Sequence, residues 1–282
     1  MIWTRLHGGM GNQLFQYAAG RALAARLGAE LAIDARALAV KGNRPCGPHF
    51  AWNGRTDAPL PPARHEGLLR HGLWRLAGRN PRFRRERGLG YNPAFETWGD
   101  GSYLHGYWQS ERYFAPIAQS LRRELEILTP PSPRNAEMAA RISGCEAAVS
   151  LHVRRGDYLA YAAHTICTEG YYRAALAQVA KVTGIRPTVF VFSDDPDWAK
   201  ANLPLPYEKV VIDFNGPEAD YEDLRLMSLC RHNVIANSSF SWWAAWLNRN
   251  PAKVVAGPVA WFGDPKLSNP DILPPGWLRV AG

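Results

Sequence analysis

The chain has 282 residues, 46% of them apolar and 21% charged, and a formal net charge of +8. That length suits one large or two ordinary domains, and the balance excludes a disordered or fibrous chain. The positive excess favours an anionic ligand, nucleic acid or an acidic membrane surface, without choosing among them.

Four cysteines, Cys46, Cys145, Cys167 and Cys230, are scattered with no CxxC spacing. They read as buried or free thiols of a reducing compartment, so neither a disulfide frame nor a zinc site is expected. No run of about 18 apolar residues offers a membrane helix. Ile2 to Leu6 reads as a first strand rather than as part of a signal peptide. If Met1 is the native start, the expected location is cytoplasmic.

The chain opens as strand, glycine-rich loop, helix and strand: IWTRLH, GGMGN, QLFQYAAGRALAARLG, ELAIDA. Leu14, Phe15, Ala18, Ala22, Leu23 and Leu27 recur near the helical period, and Gly28 supplies a stop. Gly9 and Gly11 mark a close backbone approach, with Asn12 and Gln13 bringing amide groups to it. GGMGN with Asp34 is also a partial dinucleotide fingerprint, but Leu14 stands where its third glycine belongs. Residues 43–100, rich in Pro, Gly, Arg and Trp, resolve into no regular elements. Within them, the run Arg82-Phe83-Arg84-Arg85-Glu86-Arg87 reads as a solvated basic loop, or else as a contact with an acidic glycolipid or bilayer.

TPPSPR at 129–134 is the clearest linker, since three prolines in five residues cannot continue the preceding helix. Beyond it, strand-like runs at 147–153, 188–193, 209–213, 233–236 and 253–256 alternate with helical patterns at 168–182, 196–202, 218–231 and 240–249. Such alternation predicts a parallel sheet flanked by helices. Two α/β domains are expected, 1–130 and 135–282, with no internal repeats.

Open parallel sheets bind their ligands at the carboxyl ends of the strands. The segments after the strands are therefore the candidates: GGMGNQ (8–13), Arg154-Arg155-Gly156-Asp157, Asp194-Asp195, and Asn237-Ser238-Ser239-Phe240. Adjacent arginines differ in direction, so one is expected to face the cleft and the other to support it. A guanidinium fork suits phosphate oxygens and stays charged at any working pH. Ser238 and Ser239 read either as helix caps or as donors to an anion at a helix N-terminus. Asp195-Pro196-Asp197 is a D-x-D pattern that holds a cation in some sites. It suits the first turn of a helix equally well. The preferred reading is a carboxylate here accepting the paired N–H donors of a guanine base. Trp242, Trp243 and Trp246, at helical spacing, read mainly as packing.

Four long segments taken together, GGMGNQLFQYA (8–18), GYWQSERYF (106–114), HVRRGDY (152–158) and NSSFSWWAAWL (237–247), resemble bacterial α-1,2-fucosyltransferases of glycosyltransferase family eleven, and FSDDPDW (192–198) fits a fifth. The resemblance implies a GT-B-like α/β fold of two facing Rossmann-like domains with largely parallel sheets. It puts the acceptor on the N-terminal side and GDP-fucose on the C-terminal side. It further implies an inverting, metal-independent transfer of fucose to the 2-hydroxyl of a terminal galactose. GDP-fucose is then a co-substrate, with no cofactor and no nucleic acid partner.

Carried onto this sequence, the family pattern gives Arg154 the β-phosphate, His152 the base or ribose, and Asp194 the guanine. Asn237, Ser238, Ser239 and Phe240 line the phosphate and nucleoside. Met10, Asn12, Gln13, Trp108 and Gln109 fall on the sugar and acceptor side. Asp157 is the first candidate for a catalytic base, followed by Glu169 and His164, and an ion pair holding Arg155 is its equal alternative reading. Three rivals stay open: a binding protein without catalysis, an NAD-dependent oxidoreductase built on GGMGN, and a metal-dependent glycosyltransferase using Asp195 and Asp197. A peripheral contact at the inner membrane face belongs to the second reading of the basic run.

Overall fold

The structure is a computed structural model that describes residues 1–62, 67–76, 82–155, 167–264 and 266–281. It divides into two compact units, Met1–Glu126 and Ile127–Gly282.

The first unit carries a four-stranded sheet of β1 (Ile2–Arg5), β2 (Leu31–Asp34), β3 (Arg82–Arg85) and β4 (Ser102–His105), ordered β2-β1-β4-β3. Every pairing is parallel, and the register sets Arg5 beside Asp34 and Arg85 beside His105. Helix α1 (Met10–Arg26) connects β1 to β2 and buries Leu14, Phe15, Ala18, Ala22 and Leu23. It lies so close to β1 that a Cβ on Gly20 would stand 2.8 Å from the Thr4 Cβ. Thr4 also donates its hydroxyl to the Gln16 carbonyl at 2.7 Å, tying strand to helix. Helices α2 (Arg36–Val40), α3 (Leu68–Leu76) and α4 (Ala118–Glu124) complete the unit.

The basic run is not a loop. Arg82–Arg85 form the edge strand β3, where Phe83 packs on Tyr103 at 4.8 Å between ring centroids. Charged side chains on an edge strand keep it from pairing with another chain. One aromatic among arginines gives no clean alternation, so periodicity did not reveal it.

The second unit opens with α5 (Pro133–Ser143), whose N-terminus Ser132 caps by accepting from Asn135 N. Its six-stranded parallel sheet runs β10-β9-β8-β5-β6-β7. The strands are β5 (Ala148–Val153), β6 (Thr188–Ser193), β7 (Glu208–Ile212), β8 (His232–Val234), β9 (Val255–Pro258) and β10 (Leu278–Val280). The helices are α6 (Glu169–Thr183), α7 (Pro196–Asn202), α8 (Asp220–Leu229) and α9 (Ser239–Leu247). α6 starts at a Thr168 cap and stops at Gly184, whose φ of 71° lies in the left-handed region that glycine adopts cheaply. Val149, Leu151 and Val153 of β5 pack with Tyr171, Leu176, Val189, Val191 and Val234 in one buried core. Each such side chain contributes about 1.5–3 kcal/mol by leaving water. Trp242, Trp243 and Trp246 are buried in α9 and pack on one another. Among the described residues, no helix is long and apolar enough to cross a membrane.

Candidate active site

In the second unit the chain moves outward from β5 through β6 to β7 on one side. On the other side it continues through β8 and β9 to β10. The order therefore reverses between β5 and β8, where helices leave opposite faces and a crevice opens at the strand ends. Arg154 and Arg155 follow β5, while Asn237, Ser238, Ser239 and Phe240 follow β8. The topology thus brings two of the singled-out segments to one point.

Arg154 is held by Asp194, with Nη1 3.1 Å from Oδ2. The backbone N–H of Arg155 donates to the other oxygen of Asp194 at 2.9 Å. The Arg155 side chain turns elsewhere: Nε lies 3.4 Å from Asp195 Oδ2, and its guanidinium sits 3.7 Å from the centre of the Trp198 ring. The two arginines therefore take different partners, and the supporting contact for Arg155 is Asp195 with Trp198. Asp157, with its expected partnership to Arg155, and His164 lie outside the described residues. Glu169, the remaining base candidate, is the first residue of α6.

His152 is buried, with its ring 5.6 Å from that of Phe240. Burial first, and the charge of Arg154 second, push its pKa down to about 3, so the imidazole is neutral at working pH. Among the described residues, its buried Nδ1 has no hydrogen-bond partner. A buried polar atom left unsatisfied calls for an explanation, and a ligand group is one.

Ser238 caps α9 by accepting from Phe240 N at 3.4 Å. Asn237 is buried; its amide donates to the Trp261 carbonyl at 3.1 Å and accepts from Cys167 Sγ at 3.5 Å. It secures the loop from behind. Burial pushes the Cys167 thiol up to about 12, which makes it unreactive. Ser239 and Phe240 remain partly exposed at the helix start.

The D-x-D pattern proves to be a helix start. Asp195 accepts from Trp198 N at 3.1 Å as the cap of α7, and Asp197 pairs with Lys200 at 3.2 Å.

In the first unit, two of the residues expected on the acceptor side, Gln13 and Trp108, are buried. Gln13 is fully buried and spends its amide internally: Nε2 donates to the Gly8 and Arg44 carbonyls at 2.9 and 2.7 Å, and Oε1 accepts from Cys46 N at 3.0 Å. It pins the glycine loop. Trp108 is also fully buried, against Trp98 and Tyr113, with φ at 57°. That unusual backbone is held by Glu86, which accepts from Trp108 N at 2.9 Å and Tyr107 N at 2.6 Å. Met10 is buried at the start of α1. Asn12 and Gln109 are partly exposed and joined, with Gln109 Nε2 donating to Asn12 Oδ1 at 2.8 Å.

A model of glycosyl transferase family 11 matches residues 95–281. The chain belongs to that family. This makes it a glycosyltransferase. Across 292 aligned residues the family 11 chain is 31% identical to an α-1,2-colitosyltransferase of Escherichia coli, covering 99% of each. It is 26% identical over 188 residues to a galactoside 2-α-L-fucosyltransferase of Caenorhabditis elegans, covering 62% of this chain and 51% of that one. Among solved structures, the fucosyltransferase NodZ from Bradyrhizobium matches with a TM-score of 0.53 at 15% identity, over 86% of this chain and 91% of that one. That likeness bears on fold, and it agrees with a GT-B-like α/β architecture of parallel sheets.

Sequence reasoning missed three features of this family 11 chain. Trp198 supports Arg155 from within the FSDDPDW segment. His7, just after β1, has its backbone N–H and carbonyl bound by the Gln16 amide. Arg5 and His105, at the ends of β1 and β4, approach to 3.3 Å. The strand-end rule would have found the last pair had β4 been recognised.

Proposed function

We propose that this chain transfers fucose from GDP-fucose to the 2-hydroxyl of a terminal galactose, inverting the anomeric centre to give an α-1,2 linkage. The observation that carries the reading is the meeting of HVRR and NSSF at the reversal point of the second sheet. One fixed guanidinium, one neutral buried imidazole whose Nδ1 has no partner among the described residues, and the N-terminus of α9 share that place. Together they suit a nucleoside diphosphate.

As the bond from the anomeric carbon to the diphosphate breaks, negative charge grows on the departing oxygen. Arg154, oriented by Asp194, stabilises that charge more in the transition state than in the ground state. The acceptor oxygen attacks the opposite face and releases its proton. Asp157 remains the first candidate to take it, and a reaction driven by leaving-group departure needs only a weak base. No metal is required in this scheme, because the arginine carries the compensating charge. GDP-fucose occupies the second unit, and the first unit presents the acceptor.

The E. coli relative's name supports a second donor, GDP-colitose, whose sugar lacks the 3-hydroxyl of fucose. The test is transfer from each GDP-sugar to a β-galactoside, with the product linkage read by NMR. An α-1,2-linked product from GDP-fucose supports the proposal. Transfer from GDP-colitose alone selects the second reading, and transfer from a UDP-sugar alone overturns both.

A further inference from the structure

The carboxyl ends of all four strands in the first unit open onto a cavity of about 590 Å³. That is the size of a small-ligand site. Arg5, Arg85 and His105 are the last residues of β1, β3 and β4, and they line it with Arg36, Arg84 and Arg87. Asp34, the last residue of β2, is the cavity's only carboxylate among the described lining residues. It is committed to Arg36 at 2.7 Å and to the Tyr103 hydroxyl at 2.7 Å. Five guanidiniums against one carboxylate leave an excess of four positive charges on the wall.

Among the described residues, no ion pair joins Arg5, Arg84, Arg85 or Arg87 to a carboxylate. Glu86, next in sequence, turns to the backbone of Tyr107 and Trp108. Arg84 lies over the Trp98 ring at 5.1 Å, and among the described residues its buried Nε has no acceptor. Burial, then the neighbouring Arg82, lowers its pKa. Burial, then Arg5 and Arg85, also push His105 down to about 4, so its ring is neutral at working pH. Gathering this many like charges in a concave site costs stability unless an anion offsets them.

We propose that this cavity is a subsite for a phosphate or diphosphate group carried by the acceptor, so that the acceptor substrate is a phosphorylated glycan rather than a neutral one. This deepens the glycosyltransferase reading above and rests on it. A phosphate carries about −1.5 to −2 charge and three acceptor oxygens, which several guanidinium forks match better than a single carboxylate would. The strand-end position is where open parallel sheets take their ligands.

Inorganic pyrophosphate, titrated by calorimetry into full-length protein already saturated with GDP, tests the subsite apart from the donor site. One further pyrophosphate should bind, and Arg85→Gln, an exposed end-of-strand change, should weaken it about tenfold or more while leaving the melting curve cooperative. Two acceptors with the same terminal galactose, one a methyl glycoside and one a short-chain diphosphate ester, supply the second arm. The diphosphate should show a KM lower by about tenfold or more, and Arg85→Gln should bring the ratio near one. Equal KM values in the wild type, or pyrophosphate binding that ignores Arg85→Gln, overturn the subsite. Absence of transfer to both acceptors, with pyrophosphate still bound, strikes the proposed function instead. Binding to phosphatidylglycerol vesicles but not to pyrophosphate would make the arginines a membrane contact and also overturn the subsite.

Discussion

Arg154 and Asp194 are joined at 3.1 Å, and Asp194 at the same time accepts the backbone N–H of Arg155 at 2.9 Å. One carboxylate therefore fixes both the position of the strand end and the direction of one guanidinium. The pair is partly open to solvent, with side-chain exposures of 34% and 23%. Such a pair contributes only about 0–1 kcal/mol to stability. Its value lies in orientation.

Arg154 and Arg155 should separate by substitution. Arg154→Lys keeps a charge and loses the fork, so turnover should fall on the order of 100-fold while GDP binding weakens less. Arg155→Lys loses the stack on Trp198 and should mainly lower the melting temperature, by a few degrees for about 1 kcal/mol. Near-normal turnover in Arg154→Lys with lost turnover in a folded Arg155→Lys would reverse the assignment.

Gln13 should behave as a structural residue. Gln13→Leu leaves the Gly8 and Arg44 carbonyls without this donor and Cys46 N without this acceptor, at a cost of about 2–4 kcal/mol. Chemical denaturation measures it. An unchanged midpoint together with a raised acceptor KM would return Gln13 to the acceptor side.

The sequence showed much of the second unit and, in the first, the opening run of β1, α1 and β2 but not β3 or β4. Strands β5 to β9 are short apolar runs between helical patterns, so composition and spacing marked them within a residue or two. β10, Leu278–Val280, has three residues and no pattern to read. β3 is arginine-rich because it lies at an edge, and local pattern cannot distinguish that from a loop. The segments after the strands were legible, but what each side chain does was not. GGMGNQ announces a tight turn, yet only tertiary contacts reveal that Gln13 and Gln16 are spent holding it. GYWQSERYF carries the family resemblance, but the partner that fixes Trp108, Glu86, comes from the stretch without a readable pattern.

Asp223 offers a pH signature. Burial pushes its carboxyl up to about 7, against a hydrogen bond from Asn215 at 2.7 Å that acts the other way. A raised carboxyl pKa means that the folded state favours the proton. The contribution is full below about pH 4 and is lost as pH rises through about 7. Asp223→Asn should therefore raise the melting temperature at pH 8 and change it little at pH 4. A variant less stable than wild type at pH 8 would mean that the ionised form is the one the fold holds.

Metal removal addresses the role of Arg154 directly. EDTA should leave turnover nearly unchanged. A collapse reversed by Mn²⁺ or Mg²⁺ would move the leaving-group role to Asp195 and Asp197, which would then have to give up the α7 cap, Arg155 and Lys200.

Hydrogen–deuterium exchange with GDP and with UDP, in the absence of metal, tests the central claim most directly. If the reversal point of the second sheet is a guanosine diphosphate site, GDP should protect amides in peptides spanning 150–155 and 236–242, and UDP at the same concentration should protect them far less. Equal protection by both nucleotides would contradict the guanine assignment. Protection confined to the glycine loop at 8–13 would contradict the site itself.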